Sequence, residues 1–258
     1  MRWVPACELP MTAAVWLGAC IFMAWTIEAM SGFGSIVIAL SLGALLLPID
    51  SMLPVLVVLN VMTSSWLGWQ HRRHIDHALL WRRILPAMLL GTLAGAFLRD
   101  LVPGVALKIA FAILILWFAL RELFLMRSGQ LRTAHGDVQT HVLLAGAGIS
   151  HGLFASGGPL LVYALAGRSM EKARFRATLV MVWLLLNGVL ALIFLGQGSL
   201  QAHARELLFY MPVVALAVGL GNYLHHRLDE DRFRVMVFWL LLLVGAALLL
   251  SPLLNVLH

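Results

Sequence analysis

Two ionisable residues, Glu28 and His151, stand inside long apolar runs, each just ahead of a glycine-rich interruption. A charge-bearing group in hydrocarbon is costly, so it is expected only where it has a partner or a task. Glu28 lies one helical turn before Gly32, and His151 lies six residues before Gly157. Either can carry a proton coupled to the movement of another solute, and His titrates in the useful range. The plainer alternatives are a Glu28 near an interface or paired with a polar neighbour, and a His151 that is a hydrogen-bonded packing residue.

The interruptions are Ser31-Gly32-Phe33-Gly34-Ser35 and Ser156-Gly157-Gly158-Pro159. Each glycine within a helix costs about 1 kcal/mol relative to alanine, and in lipid the freed backbone groups must also find partners. A helix that restarts after such a break presents free N–H groups and the positive end of its dipole, which is an anion site without any side-chain charge. Gly34 and Ser35 open one such arm and Gly158 and Pro159 the other. Pro159 suits a first helical turn because it has no N–H to satisfy. The Ser31, Ser35 and Ser156 hydroxyls are further donors. The competing reading is that these glycines only let helices pack closely.

Further polar groups lie on the following apolar segments. Asn60 and Ser64 share a helix face at i and i+4, with Thr63 and Ser65 alongside, and Asn187 lies on the corresponding segment of the second half. Asn60, Thr63, Ser64 and Asn187 are candidates to complete an oxyanion cage; interhelical hydrogen bonding explains them as well. Trp66 and Trp183 read as packing residues, and Tyr163 and Asn222 as weaker candidates. Pro86 with Gly95, and Pro212 with Gly221, read as helix bending and close packing. His71, His74 and His77 have helical metal-ligand spacing but sit among arginines that repel a cation, so no metal site is expected.

These groups must be positioned by membrane helices. The chain has 258 residues, 62% hydrophobic and 12% charged, with a mean hydropathy of +0.94. Several stretches approach the ~20 apolar residues that cross a bilayer, and their continuous apolarity excludes a β-barrel. The expected fold is an all-α polytopic membrane protein. The net charge of +6 resides in connectors between spans; it is an orientation signal rather than a nucleic-acid footprint. Cys7 and Cys20 have no metal or redox spacing. Leu17-Gly18-Ala19-Cys20 resembles a lipoprotein cleavage box, but the apolar stretch runs past Cys20, so Met11 onward reads as retained helix.

The chain divides into two expected repeats. Residues 1–130 hold a broken helix at 11–47 and spans at 53–69, 84–98 and 101–120; residues 131–258 hold a broken helix at 140–167 and spans at 177–195, 207–224 and 235–254. A shift of 124 places Gly34 on Gly158 and Gly43 on Gly167, and a shift of 126 places Pro86 on Pro212 and Gly95 on Gly221. If each broken segment crosses once, the cations divide evenly between the two sides. If each is a re-entrant hairpin returning to the side it entered, all of the 18 Lys and Arg except Arg2, Arg99, Lys108 and Arg205 fall on one side, as the positive-inside rule requires. Each half then has three further crossings, the halves are inverted, and both termini face the periplasm. Inverted repeats with discontinuous helices are the architecture of many secondary transporters.

The break Gly32-Phe33-Gly34, the polar helix Asn60-Val61-Met62-Thr63-Ser64-Ser65, the connector His71–His74 and the segment Pro86 to Gly95 resemble the TauE/SafE family of sulfite-exporter-like permeases. So does the recurrence from Gly148 through Ser156-Gly157-Gly158-Pro159 to Gly221. The family's usual break has more consecutive glycines, where this chain has Phe33 and Ser35, and the proline that commonly follows the first break is missing. The resemblance implies export of a small sulfur-containing oxyanion, sulfite or an organosulfonate, across a bacterial inner membrane. The chain has no phosphate-binding Gly-x-x-x-x-Gly-Lys-Ser/Thr loop, and no cofactor is expected. The expected partners are the anion and the lipid bilayer, with a second copy of the chain as a candidate. The leading expectation is alternating access around a midplane site. A passive anion channel and a permease for a carboxylate-type anion are the alternatives. An intramembrane enzyme using His151 and Glu28 is disfavoured, because no Ser-His pair, metal spacing or paired-Asp motif lies in the spans.

Overall fold

A computed structural model describes residues 11–31, 34–128, 135–165, 170–225 and 230–256. Among these there is no strand. The helices are α1 (Met11–Ser31), α2 (Ser35–Gly43), α3 (Ile49–Gln70), α4 (His77–Leu79), α5 (Leu85–Arg99), α6 (Gly104–Ser128), α7 (Asp137–Phe154), α8 (Gly158–Ala164), α9 (Lys172–Gly196), α10 (Ser199–Ala202), α11 (Ala204–His225) and α12 (Glu230–Val256). Among the described residues six stretches are long and apolar enough to cross a membrane: Met11–Met30, Ile49–Gln70, His77–Arg99, Gly104–Ser128, Ala173–Gly196 and Ala204–Leu224. The apolar stretch Val235–Leu250 is shorter. The chain is a multi-pass, all-helical membrane protein.

Both expected interruptions are present, and the arm that follows the first is shorter than its apolar run suggests. That arm, expected to reach Leu47, ends at Gly43. A Cβ on Gly43 would collide with the Met52 sulfur of α3, so this glycine marks where the arm turns against its neighbour. All nine residues of α2 are buried. The second arm, α8, has seven residues. Left-handed backbone occurs at each break, on Gly34 (φ 102°) and on Ala155 (φ 50°). A non-glycine residue there is strained by about 1–2 kcal/mol, whereas glycine's extra freedom in the unfolded chain costs about 0.5–1 kcal/mol. The first effect is larger, so Ala155→Gly is expected to stabilise the protein by about 0.5–1 kcal/mol. A melting temperature that fails to rise in detergent would contradict this.

Four long pairings organise the bundle: α5 with α7, α1 with α11, α3 with α9 and α6 with α12. Each joins a helix of the first half to one of the second. In the α5–α7 pair, Gly91 abuts Ala145 and Gly148, and Gly95 abuts Ile149, so the two helices run parallel. The α1–α11 pair is also parallel, with Tyr210 Oη donating to the Ala14 carbonyl at 2.9 Å and Gly221 seated on Thr26 and Ala29. By contrast, α3 and α9 run antiparallel, since Asn60 meets Asn187 while Gly68 faces Val180, Met181 and Leu184. The α6–α12 pair is antiparallel too, with Phe118 on Phe238 and Leu116 on Gly245. The short arms fill the spaces left: α2 packs on α1, α3 and α12, and α8 on α7.

Pro86 has no N–H to give to the Arg82 carbonyl. A π turn over Leu80–Ile84 absorbs that defect just ahead of α5. The expectation of close packing at Gly95 and Gly221 is met at both, because a Cβ on either would fall on backbone of the facing helix.

Candidate functional site

The two breaks meet at a buried cavity of about 60 Å³. A site needs roughly 10–15 Å³ of such volume per water, so this one holds a few waters or one small oxyanion. Its walls come from both halves: Glu28 of α1, Gly34 to Ile38 at the start of α2, Asn60 of α3, Ala155, Ser156, Gly158 and Pro159 around the second break, and Trp183 and Asn187 of α9. Phe118 of α6 and Val237, Phe238 and Leu241 of α12 close the apolar side.

Asn60 is the hub of the polar wall. Its Oδ1 accepts from Ser64 Oγ at 3.1 Å and from Asn187 Nδ2 at 2.7 Å. Its Nδ2 donates to Ser35 Oγ at 3.1 Å. The Glu28 carboxyl interacts with the Ser35 and Asn60 side chains. On the other side His151 is fully buried and stacks on Trp183 with ring centroids 5.7 Å apart. The Gly157 N–H points at His151 Nδ1 across 3.4 Å, which leaves the ring proton on Nε2. His151 also interacts with Asn187. A continuous polar chain therefore runs Glu28, Ser35, Asn60, Asn187, His151, joining the two ionisable groups that precede the two breaks.

The chain is incompletely satisfied. Among the described residues His151 Nε2, Ser156 Oγ and Asn187 Oδ1 are buried without a hydrogen-bond partner. His151 Nε2 and Asn187 Oδ1 belong to two side chains that interact with each other, and His151 does not line the cavity. Ser156 does line it; buried polar atoms are nearly always paired, and its free hydroxyl is a donor that suits an anionic oxygen. Ser35 opens α2 after Gly34, and the first amides of a helix have no intrahelical partner. The two arms are not equivalent, however. At seven residues α8 is under two turns long, so its contribution is local N–H groups rather than a summed dipole.

The remaining candidates fall as follows. Gly157 and His151 sit behind the lining, and Ser64 supports Asn60 from its own helix. Thr63 accepts from Trp25 Nε1 at 3.3 Å and donates to carbonyls of its own helix; it does not line the cavity. Gly32 and Phe33, and the Ser31 side chain, lie outside the described residues. Trp183 is buried in the core as a packing residue, stacks on His151 and also borders the cavity; Trp66 is 65% exposed. The sequence reading missed Arg176, whose Nη2 donates to the Ala29 carbonyl at 3.5 Å. Its only signal was membership of a basic connector. No cluster of potential metal ligands occurs among the described residues.

A helical membrane protein with a small cavity, polar on one wall, between broken helices has the build of a transporter. The sulfite exporter TauE/SafE family matches residues 17–248, nearly the whole chain. The chain belongs to this family, whose members are membrane transporters and not enzymes. It is similar to a probable sulfite/organosulfonate exporter TauE of Cupriavidus necator, 25% identical over 227 residues that cover 85% of this chain and 86% of the relative. It is also similar to a probable inner membrane transporter protein TsaS of Comamonas testosteroni, 28% identical over 198 residues, 74% of this chain and 80% of that protein. No solved structure matches the chain.

Proposed function

We propose that this protein is a secondary transporter that exports a small sulfur-containing oxyanion, sulfite or an organosulfonate, across the bacterial inner membrane. The observation that carries the reading is the cavity between the breaks, with the buried Ser156 hydroxyl in its wall left unpaired. The anion sits against this donor and the first turn of α2, with Asn60 and Asn187 holding the two halves in register around it. One relative is named as a probable sulfite/organosulfonate exporter, which agrees with this reading, and the other as a probable inner membrane transporter.

Alternating access fits the same arrangement. With both broken segments crossing once, α3 and α9 would point the same way, as would α6 and α12. With both segments returning to their own side, each pair is antiparallel. The antiparallel registers support a reading as inverted repeats built on re-entrant hairpins, and the positive-inside rule then argues for periplasmic termini. A reporter fused after His258 that reads cytoplasmic would sink this topology. The proton-coupling candidates Glu28 and His151 lie at the two ends of the polar chain, where movement of the anion changes the surroundings of each.

The test is counterflow of labelled sulfite in proteoliposomes. Gly158→Leu is expected to abolish flux, because a Cβ there has ordinary room, 3.5 Å from the Trp183 ring, while the rest of the side chain enters the cavity. The fold should survive the change. Undiminished flux would remove the second break from the site. Flux that follows membrane voltage alone, with no response to a pH gradient, would favour a passive channel.

A further inference from the structure

Glu28 is the one ionisable residue among the described residues that line the cavity, and it is 8% exposed. A carboxylate in the wall of an anion site repels the anion at close range unless its charge is offset. The structure supplies an offset from a distant part of the chain. Arg174 and Arg176 share the basic start of α9, yet Arg174 is exposed while Arg176 is half-buried and turned towards α1. Its guanidinium reaches the Ala29 carbonyl, beside Glu28, and interacts electrostatically with the Glu28 carboxyl. Arg176 does not itself line the cavity.

We propose that Arg176 is the fixed counter-ion of Glu28, and that the pair sets the anion selectivity of the cavity. Arg176 is thus a positioning residue. It acts through Glu28 by offsetting the charge of the carboxylate from its place beside the Ala29 carbonyl. The anion then meets the donors of the second break without opposing charge from the first. This inference rests on the anion-cavity reading above.

The discriminating experiment is a charge-neutralisation cycle in proteoliposomes, with labelled sulfite as probe and initial rates measured against concentration. Arg176→Gln is expected to raise KM by about tenfold or more, because removing one partner leaves the other charge uncompensated, with kcat changed far less. Arg176→Lys, which keeps the charge, should lose only about threefold. Glu28→Gln/Arg176→Gln should recover most of the lost affinity, read as sulfite binding to the purified protein because Glu28 is also a proton-coupling candidate; a merely structural arginine would not allow that recovery. An unchanged KM in Arg176→Gln overturns the proposal. So does a double variant that binds sulfite as weakly as Arg176→Gln, since the guanidinium would then bind substrate directly. If Arg176→Gln does not fold, a double variant that folds and binds sulfite supports the pairing, and one that stays unfolded or binds none overturns it. Wild-type protein that moves no oxyanion would refute the cavity reading itself, whereas wild-type flux matched by Arg176→Gln refutes only the counter-ion role.

Discussion

Asn60→Leu is expected to lower sulfite flux by at least about a hundredfold while leaving a folded protein in the membrane. Asn60 makes contacts to Ser35, Ser64 and Asn187 at 3.1, 3.1 and 2.7 Å, and leucine makes none of them. Each buried polar group left without its partner is disfavoured by about 1–3 kcal/mol, and ~1.4 kcal/mol is tenfold in rate. Two such losses at the cavity wall therefore account for a hundredfold. Folding should survive, because α3 also packs on α9 at Gly68 and its neighbours Leu56 and Leu59 are fully buried. Thr63→Val is the comparison: it lies on the same helix, away from the cavity, and should change flux by less than about threefold, as for a single lost hydrogen bond. Initial rates in proteoliposomes, alongside elution as a single species in detergent, separate the outcomes. Equal losses in both variants would reduce Asn60 to a general stability element.

The polar wall was legible in the sequence because hydrocarbon makes polar residues conspicuous. Asn60, Ser64 and Asn187 stood out in apolar runs, and the cost of backbone breaks in lipid singled out Gly34 and Gly158. The all-helical, multi-pass character was legible for the same reason. Other features had no such marker. Nothing in an apolar segment distinguishes a tryptophan that stacks on a histidine from one that faces lipid, so Trp183 and Trp66 looked alike. Arg176 was hidden differently. In a connector rich in arginine, composition explains every cation by topology, and the contact that sets this one apart spans 147 residues of chain. The ends of α2 were missed because the apolar run continues through Ala44 to Leu47, while the arm stops where Gly43 meets Met52. Partner choice among the long helices was also hidden, since helices apolar on all sides show no preferred face.

The glycines of α5 and α7 carry the largest expected effect on folding. Gly91 and Gly95 on α5 face Gly148 and Gly152 on α7 at four-residue spacing, the pattern that brings membrane helices into backbone contact. A Cβ on Gly95 would fall on the Ile149 carbonyl oxygen, with Ile149 Cα 3.0 Å away. One on Gly148 would fall on the Met88 carbonyl oxygen, 2.9 Å from Gly91 Cα. These obstacles are backbone, so no rotamer change relieves them, and the helices must separate. Overpacking costs about 1–3 kcal/mol even where side chains can yield, against a total stability of about 5–15 kcal/mol. Gly148→Leu and Gly95→Leu are therefore expected to abolish the monodisperse protein and Gly148→Ala to lower the melting temperature sharply. Gly146→Ala, on the same helix with nothing within 4 Å of the added Cβ, should be neutral or stabilising by up to about 1 kcal/mol. Equal melting temperatures for Gly146→Ala and Gly148→Ala would refute the interface. The consequence reaches the cavity, because α7 ends at Ala155 and Ser156. The glycine contacts fix α7 to α5 as one unit and so fix where His151 and the second break stand relative to Asn60.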